Sequence, residues 1–144
     1  MELQSLLDFV NQWRVAQGVV KQRIAGAKEV EIRFAGEVSG HAVTPFVAVP
    51  TPKGKVWMEL DTGSNSSIIV GSHNAELFAM KADAKEPQRF RGALVGGVAL
   101  AAEDAQSMPL IIDGNIGLSM LKTWVLTMDL PHGRAWISPA QLNP

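Results

Sequence analysis

The chain has 144 residues, of which 47% are hydrophobic, 6% aromatic and 19% charged, a balance that fits one compact globular domain with a modest core. A net charge of −1 with scattered Lys and Arg excludes the basic face that nucleic acid or an anionic membrane requires, so neither is expected as a partner. The lack of cysteine removes disulfides, thiol catalysis and thiolate metal sites, and no apolar run approaches the ~18 residues of a membrane span.

Leu3, Leu6, Leu7, Val10 and Trp13 follow the i, i+3, i+4, i+7 pattern and predict an amphipathic helix over 3–16 that stops near Gly18. Its acidic start lacks the basic segment and small-residue cleavage site of a secretory signal. Few Lys and Arg flank its apolar face, so it reads as a packing element and not a membrane anchor. Residues 1–25 are expected to form an extension or linker, and 26–144 the main domain.

The period then changes to two. Val30, Ile32 and Phe34 alternate with Glu29, Glu31 and Arg33, as in a half-buried strand, and Gly36 and Ser39-Gly40 mark a turn. Phe46–Val49 predicts a strand, Thr51-Pro52-Lys53-Gly54 a tight turn, and Lys55–Leu60 a strand running into Asp61-Thr62-Gly63-Ser64. Ile68–Val70 reads as a buried strand, and Asn74–Met80 as a short helix. Residues 81–89 are polar, and Phe90–Leu100 is apolar but broken at Gly96-Gly97. A short strand is expected at Leu110–Ile112, a loop at Gly114–Gly117, and a short helix at Leu118–Trp124. Val125–Leu130 and Arg134–Ser138 flank Pro131-His132-Gly133 as a β-hairpin. Many short strands with frequent Gly and Pro turns predict a mostly-β sandwich or barrel.

The chemistry-bearing stretch is Val56 to Ser64. An apolar strand delivers the Asp61 carboxylate to a tight loop; Gly63 lets the backbone turn, and Thr62 and Ser64 supply hydroxyls that can hold it. Alone, the tripeptide also fits a turn with an N-capping aspartate. A second stretch adds to it: Leu110–Gly117, then Leu118–Trp124, then the terminal hairpin.

Together these segments resemble a lobe of the retropepsin-like and pepsin-like aspartic proteases, over residues 29–139. In that family a strand bearing Asp-Thr-Gly is followed by a hydrophobic-hydrophobic-Gly element, a short helix and a terminal hairpin. Asn115-Ile116-Gly117 stands where the hydrophobic-Gly element belongs, in the arrangement called a ψ-loop, with polar Asn115 departing from the usual apolar first position. The resemblance is nearest to bacterial retropepsin-like aspartyl proteases and to the C-terminal lobe of two-lobed members. It implies a single acid-protease lobe in which Asp61 is the catalytic acid. Thr62 would grip a partner backbone, Ser64 would support the outer oxygen of Asp61, and Gly63 and Gly117 would shape the loop.

The class activates water between two carboxylates about 3 Å apart that share a proton. This sequence has one Asp-Thr-Gly; Asp83, Asp104, Asp113 and Asp129 lack the loop signature, and Asp113 and Asp129 read as structural. A second copy of the chain or a separate N-terminal lobe is therefore expected to supply the other carboxylate. The Gly96-Gly97 hairpin is the one candidate for a flap, and if it is plain sheet structure the excised C-lobe reading is favoured. The expected substrate is a peptide or protein. The alternative is a non-catalytic binding or dimerisation module on the same fold. No cofactor is expected, and no metal, since His41, His73 and His132 lack ligand spacing. Asn65-Ser66-Ser67 matches a glycosylation sequon by chance, and the four tryptophans read as core or interface aromatics. The family's exported members point to an extracytoplasmic location such as the periplasm, with any signal lying outside this sequence.

Overall fold

A computed structural model describes residues 24–36, 40 and 42–140. The helix predicted over 3–16 lies outside these residues, as do His41, Trp13 and part of the turn expected after Gly36. Ten strands, a 3₁₀ helix and one short α-helix make up the described fold. They form a three-stranded sheet, β1-β10-β9, and a seven-stranded curled sheet, β2-β3-β4-β8-β5-β7-β6.

The period-two segment near the start is not one strand. Lys28–Val30 forms β1 and Ile32–Gly36 forms β2, and they join different sheets: β1 pairs with β10 (Arg134–Pro139), β2 with β3 (Val43–Thr51). The alternation continues across the break because Val30 and Ile32 both turn toward the core. β3 and β4 (Gly54–Asp61) are an antiparallel pair joined by the expected turn. The Thr51 hydroxyl donates to the Gly54 carbonyl at 3.1 Å, and Gly54 takes φ +126°, a backbone that suits glycine. Val56, Met58 and Leu60 of β4 are buried against Val47 and Val49 of β3, while Trp57, Glu59 and Asp61 occupy the opposite, half-exposed face.

β5 (Ile68–Gly71) leads into a 3₁₀ helix, Ser72–Phe78, whose Phe78 ring meets Phe90 with centroids 4.7 Å apart. β6 (Gln88–Val95) and β7 (Val98–Met108) form a hairpin whose turn residues, Gly96 and Gly97, have φ of +57° and +77°. Two positive φ values in succession define the two-residue turn that glycines favour. β7 continues well past Leu100 and runs parallel to β5.

Two expectations between residues 110 and 117 are corrected. Leu110–Ile112 is not a strand: Ile111 is fully exposed and the segment bends. The strand is Gly114–Gly117, β8, expected as a loop. β8 lies between β4, to which it is parallel, and β5, to which it is antiparallel. All four of its residues are buried. Glycine permits this insertion, because a Cβ at Gly114 would stand 2.5 Å from Met58 Cε and 2.8 Å from the Ile69 carbonyl. A strand threaded between two strands that are themselves joined by the Asp61 loop is the ψ arrangement. The chain then enters α1 (Leu118–Leu121), β9 (Trp124–Asp129) and β10, which pair as the expected hairpin. The described fold is thus a single retropepsin-like lobe, mostly β.

Asp113 braces this core from the β8 entrance. Its carboxylate accepts from the Trp57 N–H at 2.9 Å, Asn74 Nδ2 at 3.0 Å and His73 Nε2 at 3.2 Å. Burial by itself would raise the Asp113 carboxyl, but these three donors outweigh it and hold the group below the ordinary aspartate range. A carboxylate depressed in the folded state stabilises the fold above its unfolded pKa of about 3.9, and that contribution is lost as pH falls through the folded value. Asp113→Ala is expected to cost about 2 kcal/mol near neutral pH. Urea melts taken at successively lower pH will show the gap to wild type narrowing once pH drops below about 4. A gap that stays constant down to acid unfolding would contradict this brace.

Candidate active site

Asp61 is the last residue of β4, and its position follows from the strand's alternation. Val56, Met58 and Leu60 anchor one face, so Asp61 emerges half-buried on the other. The chain turns immediately: the Gly63 N–H donates to Asp61 Oδ1 at 2.9 Å, and the Ser64 N–H to the Asp61 carbonyl at 3.4 Å. A Cβ on Gly63 would press on the same carboxylate oxygen at 3.2 Å. Thr62 and Gly63 are exposed at the loop tip, and the Thr62 hydroxyl has no partner among the described residues. The Ser64 hydroxyl pairs with that of Ser66 at 2.6 Å. Among the described residues it makes no hydrogen bond to the Asp61 carboxylate, where the resemblance implies one.

The place at the second Asp61 oxygen is taken by Asn115, whose Nδ2 donates to Asp61 Oδ2 at 2.9 Å. The polar residue in the first position of the ψ-strand triplet thus reaches the carboxylate directly. Ile116 is fully buried beneath the loop. Gly117 and its successors clamp the loop from below: Gly117 N–H to the Ser67 carbonyl at 2.9 Å, Leu118 N–H to the Ser64 carbonyl at 2.7 Å, and the Ser119 hydroxyl to the Asn65 carbonyl at 2.8 Å. The residues singled out in the two motifs are therefore brought together.

Sequence reasoning missed Glu59. It lies two residues before Asp61, on the same face of β4, and opposite Asn115 in the parallel register. Burial first, and then the Asp61 charge, push the Glu59 carboxyl above the ordinary glutamate range, with the Asn115 amide opposing them. The period-two rule alone would have placed both carboxylates on one face.

Glu59, Asp61 and Thr62 line an open groove of about 480 Å³. Its other walls are Val43, Thr44 and Pro45 of β3, Leu118, Leu121 and Lys122 at α1, and Leu126 and Met128 of β9. Val43, Leu118 and Met128 are exposed apolar residues on its rim. A separate depression between Pro50, Phe78 and Gly92 has Arg91 as its one charged lining residue, and Arg91 is tied to Glu103. The Gly96-Gly97 turn does not cover Asp61. It packs on the other sheet, where a Cβ at Gly96 would meet Val30 Cγ1 at 2.9 Å and Ile137 Cβ at 3.0 Å. The hairpin is sheet structure, and among the described residues neither it nor the 72–87 segment lines the Asp61 groove.

A strand-borne Asp-Thr-Gly-Ser loop clamped by a ψ-strand marks the chain as one that resembles the retropepsin-like aspartic proteases. Two solved structures are similar to it in fold. One is the retroviral protease-like domain of Ddi1 from Leishmania major, 19% identical, covering 69% of this chain and 96% of that chain with a TM-score of 0.47. The other is a retropepsin-like aspartic protease from Rickettsia conorii, 18% identical, covering 77% of this chain and 89% of that chain with a TM-score of 0.48. No protein-family model matches the sequence, and no curated protein does.

Proposed function

We propose that the chain is one lobe of an aspartic endopeptidase, with Asp61 as one of two carboxylates that activate water against a peptide bond. The observation that carries this reading is the seating of Asp61. Each of its oxygens is fixed by one donor, Gly63 N–H and Asn115 Nδ2, and the carboxylate still opens onto a groove. One such carboxylate serves as base toward the water; a protonated second one donates to the scissile carbonyl. The second comes from another copy of the chain or from another lobe. The exposed rim of Val43, Leu118 and Met128, and the unpartnered Thr62 hydroxyl, support a partner docking on this face. The lack of a hairpin over Asp61 among the described residues favours a partner lobe that brings its own cover. The same lack favours a second reading, a non-catalytic binding or dimerisation module, which predicts no hydrolysis in any assembly.

Hydrolysis of a denatured protein substrate, assayed across pH in the assembled form, tests the proposal. The rate is expected to peak below neutral pH, since one carboxyl of the pair must keep its proton. A rate climbing steadily to about pH 9 would point to another mechanism, because both carboxylates are then ionised.

A further inference from the structure

We infer that Asn115 is a positioning residue kept for the reaction and not for the fold: its amide orients the Asp61 carboxylate toward the groove, and it acts through Asp61 without touching a peptide. The reaction is that of the peptidase reading, on which this inference rests.

β8 is a core strand. Gly114, Ile116 and Gly117 are buried along with Asn115, and the cross-strand neighbours of Asn115 are Glu59 in β4 and Ile69 in β5. An apolar residue would pack at such a position with no polar atom to satisfy. Asn115 is 8% exposed, and its Oδ1 is buried without a hydrogen-bond partner among the described residues. An amide oxygen in that state opposes folding. Reversing the amide gives no relief, because the oxygen would then face Asp61 Oδ2, and both atoms are acceptors. The orphan oxygen is thus the consequence of aiming the NH₂ at the carboxylate, and packing alone gives no reason for an asparagine here.

The effect of that NH₂ is geometric. Gly63 N–H holds Asp61 Oδ1 and Asn115 Nδ2 holds Oδ2, both at 2.9 Å, so the carboxylate is fixed at two points. With Gly63 alone it would pivot on one oxygen. The Ser64 hydroxyl is engaged with Ser66 and supplies no substitute. An NH₂ has two hydrogens, and the amide also acts on Glu59, where it opposes the rise that burial and the Asp61 charge impose. One buried amide therefore stands against both carboxylates of this face of β4.

Asn115→Val and Asn115→Ala, in the assembly that hydrolyses peptide, provide the test. Valine suits a buried strand and carries no orphan oxygen, so urea melts should place that variant at or above wild type in stability. Its kcat should nonetheless fall about 10- to 100-fold, the loss of one hydrogen bond to a charged group, with KM within about twofold because no peptide contact is removed. Alanine adds no atom that could crowd Glu59 or Ile69, and its kcat should fall likewise. A residue needed only for packing would give the reverse pattern, lower stability with the kcat of the folded fraction intact. Carboxyl carbon NMR of the full chain follows the same amide without turnover. The Glu59 titration should move upward in both variants, and the Asn115 NH₂ resonances of wild type should shift as Asp61 titrates. Wild-type kcat in the folded valine variant overturns the inference and leaves the peptidase reading standing. An unmoved Glu59 titration, or unfolding of both variants, overturns it as well. If the NMR result holds while no assembly shows Asp61-dependent hydrolysis, the peptidase reading falls and Asn115 remains the residue that orients Asp61.

Discussion

Asp61→Asn is expected to reduce peptide hydrolysis by about 10³-fold or more, with little change in stability. The chemical loss is complete, because an amide cannot take the proton that the attacking water gives up. The structural loss is small, because the site holds its own compensation. Asp61 accepts from Gly63 N–H on one oxygen and from Asn115 Nδ2 on the other. An asparagine keeps its carbonyl toward Gly63 and presents NH₂ toward Asn115. Rotating the Asn115 amide then turns its Oδ1 to that NH₂ and restores the bond, while its Nδ2 takes the buried place that Oδ1 leaves, so the flip exchanges one unpaired amide atom for the other. Thermal melts of the variant should therefore overlay those of wild type. Cleavage within a few-fold of wild type, in the assembly that is active, would remove Asp61 from the mechanism.

The parts of this site that were legible in the sequence are those with a local signature. β4 announces itself by Val56, Met58 and Leu60 against Trp57, Glu59 and Asp61, and the loop by Asp-Thr-Gly-Ser. The terminal hairpin was equally plain, since Pro131-His132-Gly133 separates two alternating runs, and β9 and β10 pair across it in register. What was illegible depends on long-range register. Leu110-Ile111-Ile112 is apolar enough to read as a strand, yet Ile111 lies bare in solvent. The glycines at 114 and 117 read as loop because their value is close approach to β4, β5 and the Asp61 loop, which only the assembled sheet reveals. Likewise nothing local divides β1 from β2; their separation follows from pairing with β10 and β3, distant in the chain. Glu59 was hidden for the opposite reason. A charged residue on the outward face of an alternating strand looks like ordinary solvation, and its meaning appears only when β8 sets Asn115 beside it.

Gly117→Ala is expected to be the most damaging single-atom-scale change in the described fold. The backbone at Gly117 is extended, with φ −89° and ψ 178°, which alanine adopts freely, so no conformational strain is involved. The obstacle is space. A Cβ there would overlap the Ser66 carbonyl and lie 2.8 Å from the Ser66 hydroxyl. Neither neighbour can yield cheaply. The Ser66 hydroxyl is bonded to Ser64, and the backbone around it is held by Gly117 N–H on the Ser67 carbonyl and Leu118 N–H on the Ser64 carbonyl. Moving the loop by the needed distance breaks those bonds and shifts Asp61 away from Asn115. The cost should reach about 3 kcal/mol or more, at the upper end of overpacking, and lost activity should accompany it even in the fraction that folds. Gly133→Ala is the control. Its φ of +63° strains an alanine, but nothing lies within 4 Å of the added carbon. It should cost only about 1–2 kcal/mol and leave hydrolysis intact. Urea denaturation of both variants gives the comparison. A Gly117→Ala protein as stable as Gly133→Ala, and as active as wild type, would mean that the ψ-strand does not clamp the Asp61 loop.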